Sequence, residues 1–65
     1  MIVAGIDIGS RAAKAVVMDD GDIVSSVICD TGPESVKTSQ MTMSRVLDGA
    51  NLSMGDIEYV VATGY

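Results

Sequence analysis

The chain of 65 residues contains no tryptophan, phenylalanine or histidine, and it has one cysteine and one proline. One cysteine excludes an internal disulfide, and the absence of histidine removes a common metal ligand. Without large aromatic rings, the core must be built from Ile, Val, Met and Ala. A chain this short buries roughly 60% of its unfolded surface and usually needs a disulfide, a metal or a partner. We therefore expect either a piece that depends on a partner or the first part of a longer protein.

Basic residues are also scarce: the chain has four Lys and Arg against nine Asp and Glu, which gives a net charge of −5. Nucleic acids and anionic membranes are bound by clustered Lys and Arg, so neither is an expected partner. No apolar run approaches the roughly 18 residues of a membrane span. No positive segment precedes the apolar Met1-Ile2-Val3, which argues against a signal peptide. Together with the single cysteine, this predicts a cytoplasmic location.

The order of apolar runs and turn residues predicts an α/β fold with a mixed sheet. Four strands are expected at about 2–8, 14–19, 22–29 and 57–63, with a helix at about 33–50. The first three strands are joined by short turns and should be antiparallel. The helix provides a crossover long enough to make the fourth strand parallel to the first. The expected sheet order is therefore three, two, one, four, with the last strand as an exposed edge that invites pairing with another chain.

Local signals refine this prediction. Asp20-Gly21 indicates a tight hairpin turn, and Ser53 with Asp56 resembles a capping box. Pro33 suits the first helical position, with Thr31 or Gly32 as the cap. Glu34 and Arg45 should suit the two ends of the helix dipole. Helical spacing predicts an apolar stripe of Val36, Met43, Val46, Leu47 and Ala50, and a solvated side of Ser35, Lys37, Thr38 and Ser44. Cys29 is interpreted as a small, at least half-buried hydrophobic residue.

The main chemical signal is Asp7-Ile8-Gly9-Ser10 followed by Lys14. Backbone N–H groups of a tight turn can bind phosphate oxygens. A carboxylate at the strand end can orient a water bound to Mg²⁺, and a nearby lysine adds positive charge. Taken alone, the four residues also fit an ordinary β-turn with a solvated acid. Neither the Gly-Lys-Ser/Thr ending of a P-loop nor the G-x-G-x-x-G of a dinucleotide site is present.

The motifs in order carry a resemblance. Gly5 to Ser10 with Lys14, the Asp-Gly hairpin, the amphipathic helix and Ala62-Thr63-Gly64-Tyr65 resemble the start of the actin, Hsp70 and sugar-kinase ATPase superfamily, whose fold is ribonuclease H-like. Within it, the chain looks most like the activators of 2-hydroxyacyl-CoA dehydratases and the related ATPase subunits of benzoyl-CoA reductases. The first motif is common to the superfamily. The Ala-Thr-Gly-Tyr ending is more specific to this branch.

This resemblance implies an ATP-driven electron donor, a homodimer that holds one 4Fe–4S cluster and serves a dehydratase or reductase partner. By position, Asp7 would serve Mg²⁺ through water, while Gly9, Ser10, Arg11 and Lys14 would contact the phosphates of ATP. The family's cluster cysteines lie further along its chains, and Cys29 matches neither of them. The second phosphate motif and the adenosine site are also absent. We therefore expect an N-terminal fragment (residues 1–65) of an actin-like ATPase domain with no appreciable ATPase activity of its own.

Two other interpretations stay open at this point. The chain fits a fragment of an ATP-dependent sugar kinase, which shares the first hairpin. It also fits a non-catalytic interaction module that keeps only the fold. Tyr65 could stack on a ligand or form a frayed chain end.

Overall fold

The computed structural model describes residues 1–64, which form a four-stranded mixed sheet with one long helix packed on one face. Tyr65, for which stacking or fraying was considered, lies outside the described residues. A single 3₁₀ turn at Met54–Asp56 precedes the last strand. The other elements are β1 (Ile2–Ile8), β2 (Ala12–Asp19), β3 (Asp22–Asp30), α1 (Ser35–Ala50) and β4 (Tyr59–Gly64).

The sheet order is β3-β2-β1-β4, as predicted. β1 and β2 are antiparallel, as are β2 and β3, while β4 runs parallel to β1. β2 begins at Ala12, two residues earlier than its expected start at 14. The reason is the tight first turn, which lets strand pairing continue to Ile8 opposite Ala13.

The second turn is the Asp-Gly hairpin that the sequence predicts. Asp20 and Gly21 have φ values of 51° and 89°, and Asp19 faces Asp22 across the turn. Two successive positive φ angles match the right-handed twist of a two-residue hairpin. The Met1 ammonium group forms an ion pair with the Asp20 carboxylate beside this turn.

The core lies between α1 and the face of the sheet that alternate residues of β1 and β2 present to it. Its buried members are Ala4, Ile6, Ala15, Val17, Val46 and Leu47. Side chains of a strand alternate between faces, so Gly5, Asp7 and Lys14 lie on the opposite face, away from the helix. Cys29 is buried under α1, as expected, and its sulfur accepts a hydrogen bond from Arg45 Nη1 at 3.8 Å.

The predicted stripe is confirmed at Met43, Val46, Leu47 and Ala50, which belong to the core or pack against it, and it is wrong near the start of the helix. Val36 was expected inside and is 69% exposed, whereas Thr38 was expected in solvent and is 3% exposed. Thr38, Thr42 and Val46 form the buried row at i, i+4 spacing. The Thr42 hydroxyl donates to the Thr38 carbonyl at 2.7 Å, so its burial leaves no polar atom unpaired. Apolar periodicity alone misses a buried face that is partly built from threonine.

The predicted helix start is also wrong. Glu34 occupies the N-cap position and Pro33 precedes it, so Thr31 and Gly32 do not cap the helix. Gly32 instead donates its backbone N–H to Thr38 Oγ1 at 3.0 Å, which ties the preceding loop to the buried helix face. Arg45 is not in the last turn, which contains no basic residue.

The helix ends near the predicted point, and the connector follows. Asn51 at the C-cap has a left-handed φ of 61° and donates its N–H to the last carbonyls. The capping box of Ser53 and Asp56 is present around the 3₁₀ turn. Within residues 1–64, no helix combines the length and apolar character needed to cross a bilayer.

Candidate phosphate-binding site

The first turn, Gly9 to Arg11, connects β1 to β2 and carries the predicted phosphate motif. Gly9 donates its N–H to the Ala12 carbonyl at 2.9 Å, so this amide is already used. Ser10 and Arg11 are exposed. Among the described residues, their amides donate to no backbone or side-chain acceptor. Among the described residues, the backbone donors of this turn that have no partner therefore belong to Ser10 and Arg11, and phosphate contact by the turn, Gly9 included, stays a prediction.

Gly9 is required by close packing rather than by an unusual backbone angle. Its φ is not in the left-handed region, unlike those of Gly21 and Gly64. A Cβ added to Gly9 would lie 3.1 Å from the Ala12 carbonyl oxygen. The absent side chain lets the two strands close immediately after Ile8.

Thr31, directly after β3, contacts this turn from one side. Its hydroxyl donates to the Gly9 carbonyl at 2.8 Å, and its N–H donates to the Arg11 carbonyl at 3.0 Å. In a trans peptide the C=O and the following N–H point in opposite directions. Holding the Gly9 carbonyl toward Thr31 therefore directs the Ser10 N–H away from it. Sequence reasoning considered Thr31 only as a helix cap and missed this role.

Asp7 lies at the carboxyl-terminal end of β1 on the face that α1 leaves uncovered. Its Oδ1 accepts a hydrogen bond from Thr63 Oγ1 of β4 at 2.9 Å. The two residues are direct partners in the parallel β1–β4 pair, although 56 positions separate them in the sequence. The carboxylate is exposed, and its second oxygen makes no hydrogen bond within residues 1–64.

Lys14 lies opposite Asp7 on the other side, as its register partner in β2. The two side chains form no ion pair; the described part of the chain contains a single ion pair, between Met1 and Asp20. Asp7, Lys14 and Thr63 line a shallow groove of about 240 Å³ on the uncovered face. The lysine is therefore exposed, positively charged and free of a carboxylate partner.

The two motifs recognised in the sequence meet in space. Gly64 follows Thr63 and lies against the end of β1, where its φ is +142°. The ends of the parallel strands β1 and β4 thus place the Asp7 and Thr63 side chains beside the first turn. Ligands of open α/β sheets bind outside the carboxyl ends of parallel strands.

The described residues fit a magnesium ion that is held together with a nucleotide. They do not form a site in which protein side chains alone surround a metal. No group of three or more His, Cys, Asp or Glu side chains gathers anywhere in residues 1–64. Mg²⁺ keeps several waters and is often held by one or two carboxylates together with substrate phosphates. A single exposed carboxylate beside two free amides and a lysine matches that mode. An iron–sulfur cluster does not fit, because the one cysteine is buried in the core.

Comparisons with known proteins place this arrangement in context. No protein-family model matches the chain. The activator of lactoyl-CoA dehydratase from Anaerotignum propionicum is 39% identical over 66 residues, which cover 100% of this chain and 25% of that protein. The (R)-2-hydroxyglutaryl-CoA dehydratase activating ATPase of Acidaminococcus fermentans is 34% identical over 94% of this chain and 24% of its own length. The chain spans about a quarter of the length of these curated relatives.

Solved structures agree with the sequence relatives. Component A of the (R)-2-hydroxyglutaryl-CoA dehydratase of Acidaminococcus fermentans superposes with a TM-score of 0.91 at 32% identity, over 100% of this chain and 25% of that one. The activator of the 2-hydroxyisocaproyl-CoA dehydratase from Clostridium difficile, solved with bound ADPNP, gives 0.88 at 35% identity, over 100% and 24%. A ROK hexokinase from Thermus thermophilus gives 0.76 at 22% identity, over 98% and 22%, which supports the fold alone.

The fold therefore matches the N-terminal part of the actin-like ATPase fold of these structures. This confirms the fold that the resemblance implied. Within that class, the chain is homologous to about a quarter of the length of the activators of 2-hydroxyacyl-CoA dehydratases.

Proposed function

We propose that this chain forms the first phosphate-binding element of an ATP-dependent activator that drives low-potential electron transfer to a 2-hydroxyacyl-CoA dehydratase or a benzoyl-CoA reductase. The main supporting observation is that Asp7 and Lys14 line one groove at the strand ends that flank the first turn, whose Ser10 and Arg11 amides have no partner among the described residues. The bound ADPNP of the Clostridium difficile activator supports a nucleotide as the ligand. We further propose a cytoplasmic location, in keeping with the electron-transfer role.

Each residue has a distinct role in this proposal. The amides of Ser10 and Arg11 donate to phosphate oxygens, and Lys14 adds a positive charge from the neighbouring strand. Asp7 would hold a water of hydrated Mg²⁺ through the carboxylate oxygen that Thr63 does not use. Gly9 contributes through the shape of the turn, since its own N–H is bonded to Ala12. A bound nucleotide would supply the phosphates that the first turn and Lys14 contact.

The electron-transfer part of the activity depends on groups other than these. A 4Fe–4S cluster needs four thiolates, and the sequence has one cysteine. Two copies of this chain would supply two thiolates, both from a buried side chain. We therefore propose that the cluster ligands of the dimeric activator lie outside this chain, and that residues 1–65 alone bind phosphate weakly and do not turn over ATP.

The sugar-kinase alternative has weaker support. The hexokinase is 22% identical, which supports the fold alone. The activators share the whole of the chain at 32% to 39% identity.

Titration of the chain with Mg-ADPNP, followed by amide resonances in two-dimensional NMR, tests the proposal. The Ser10 and Arg11 amides should shift most, and Lys14→Gln should weaken the shifts several-fold. Lys37→Gln, which removes an exposed lysine of α1, is the matched control and should leave them unchanged. If residues 8–14 do not respond at millimolar nucleotide, the nucleotide site is refuted and the chain is better explained as a scaffold or interaction module.

A further inference from the structure

The uncovered face of the sheet carries three polar side chains side by side on adjacent strands. Lys14 of β2 and Thr63 of β4 are the two register partners of Asp7 in β1. The carboxylate therefore has a cation on one side and a hydroxyl on the other. It is bonded to the hydroxyl at 2.9 Å and forms no ion pair with the cation.

Because Asp7 bonds to Thr63 and not to Lys14, the charge of the lysine is not neutralised. Oppositely charged side chains that face each other across antiparallel strands attract one another. An ion pair between Asp7 and Lys14 would neutralise the lysine and occupy the carboxylate, and a phosphate would have to break it. A hydrogen bond from Thr63 draws the carboxylate toward β4 instead. The ammonium group is then left available to an anion.

The position of Thr63 is itself well determined. Gly64 packs so closely on Ile8 that β4 is held against the end of β1. Thr63 is β-branched, which restricts its χ1 in a strand. The hydroxyl is therefore presented to Asp7 by the backbone on one side and by its own stiff side chain on the other.

We propose that Thr63 is a positioning residue, which keeps Asp7 on β4 and so preserves both an unpaired Lys14 and a free carboxylate oxygen. This inference rests on the proposed function for its purpose, but its geometry is independent of nucleotide. Thr63 touches no ligand in this scheme and acts through Asp7.

The first arm of the test uses the full chain without nucleotide. The ¹⁵N resonance of the Lys14 ammonium group is compared in the native chain, Thr63→Val and Thr63→Ser. Valine keeps the β-branched shape and removes the donor, so Asp7 should turn to Lys14 and shift its ammonium resonance. Serine restores the hydroxyl and should return the resonance to its native position. The same Thr63→Val change made in an Asp7→Asn background should leave the resonance unmoved.

The second arm measures Mg-ADPNP affinity in five chains: native, Thr63→Val, Thr63→Ser, Asp7→Asn and the Asp7→Asn, Thr63→Val double variant. Thr63→Val should weaken binding roughly two- to fivefold, because the phosphate must first break the exposed ion pair that Asp7 then forms with Lys14. In the Asp7→Asn background, Thr63→Val should add nothing further, because the effect passes through Asp7. A merely structural role for Thr63 predicts the same loss in both backgrounds and no rescue by serine.

The outcomes separate the two proposals. An unmoved Lys14 resonance in Thr63→Val, with the native fold retained by amide spectra, overturns the positioning role. A shifted resonance in a chain that binds no nucleotide supports the positioning role and refutes the proposed function. Equal weakening by Thr63→Val with and without Asp7 also overturns the inference.

Discussion

Gly64 lies against the backbone of Ile8, where a Cβ added to the glycine would be 2.5 Å from the Ile8 carbonyl oxygen. Its φ of +142° is also one that other residues rarely adopt. The end of β4 is therefore joined to the end of β1 by a contact that tolerates no side chain. This contact sets the distance between the two motifs of the candidate site.

Gly64→Ala should destabilise the chain by about 1–3 kcal/mol, because it combines backbone strain with a backbone clash. Urea unfolding followed by circular dichroism measures the change. Gly55→Ala is the matched control, since an added Cβ there meets only Ser53 Oγ at 3.7 Å. A Gly64→Ala chain as stable as the Gly55→Ala chain would show that β4 can move away from β1 at little cost.

The two buried threonines of α1 should respond differently to valine. Thr38→Val leaves the Gly32 N–H without its acceptor and should cost about 1–2 kcal/mol. Thr42→Val removes a donor to a helix carbonyl that keeps its own backbone bond, so its effect should stay within about 0.5 kcal/mol. Thermal unfolding of both variants tests this contrast. Equal losses would contradict the assigned difference between the two hydroxyls.

The space for a side chain at Gly49, near the end of α1, is limited by one side chain of β3. An added Cβ would meet Ser25 Oγ at 2.6 Å, which a rotation of the serine can relieve. Alanine gains up to about 1 kcal/mol over glycine in a helix. We expect Gly49→Ala to be nearly neutral alone and stabilising in a Ser25→Ala background. If unfolding free energies show no difference between the two backgrounds, Ser25 is not the limiting contact.

The ion pair of Met1 with Asp20 should make the free energy of unfolding depend on pH in both the acidic and the alkaline range. The hydrogen bond to Asp20 raises the pKa of the Met1 amino group, so its contribution is lost as the pH rises through that raised pKa. The ammonium group lowers the pKa of Asp20, so its contribution is lost as the pH falls through that lowered pKa. The full contribution is thus present between about pH 4 and pH 8.

Because both groups are well exposed, at 62% and 80%, the effect should be small. Asp20→Asn keeps a residue that tolerates the positive φ of the turn and removes the charge. The pH profile of the unfolding midpoint should be flatter in this variant than in the native chain. Identical profiles would show that the pair contributes nothing in solution.

The strands and their order could be predicted because their signals are local. The apolar run of β1, the Asp20-Gly21 turn and the length of the helical crossover together leave one simple arrangement of four strands. Asp7, Ser10 and Lys14 could be identified for the same reason, since all three lie within eight consecutive residues around the first turn.

What the sequence could not predict depends on contacts between distant segments. The bond of Asp7 to Thr63 arises only when β4 pairs with β1, and the grip of Thr31 on Gly9 requires the end of β3 beside the first turn. The buried face of α1 was predicted from apolar spacing, which wrongly placed Val36 inside and Thr38 in solvent. Threonine hydroxyls that find partners inside the fold behave as core residues, and no hydropathy scale anticipates their partners.

The bond between Thr31 and Gly9 has a mechanical consequence. Thr31 precedes Gly32, whose N–H is held by Thr38 in the first half of α1, so an unbroken string of short bonds links the first turn to the helix. A displacement of the Ser10 amide on anion binding would therefore be transmitted to α1 through two hydrogen bonds, rather than being lost in a flexible loop. The first turn of the chain is in this sense mechanically coupled to α1.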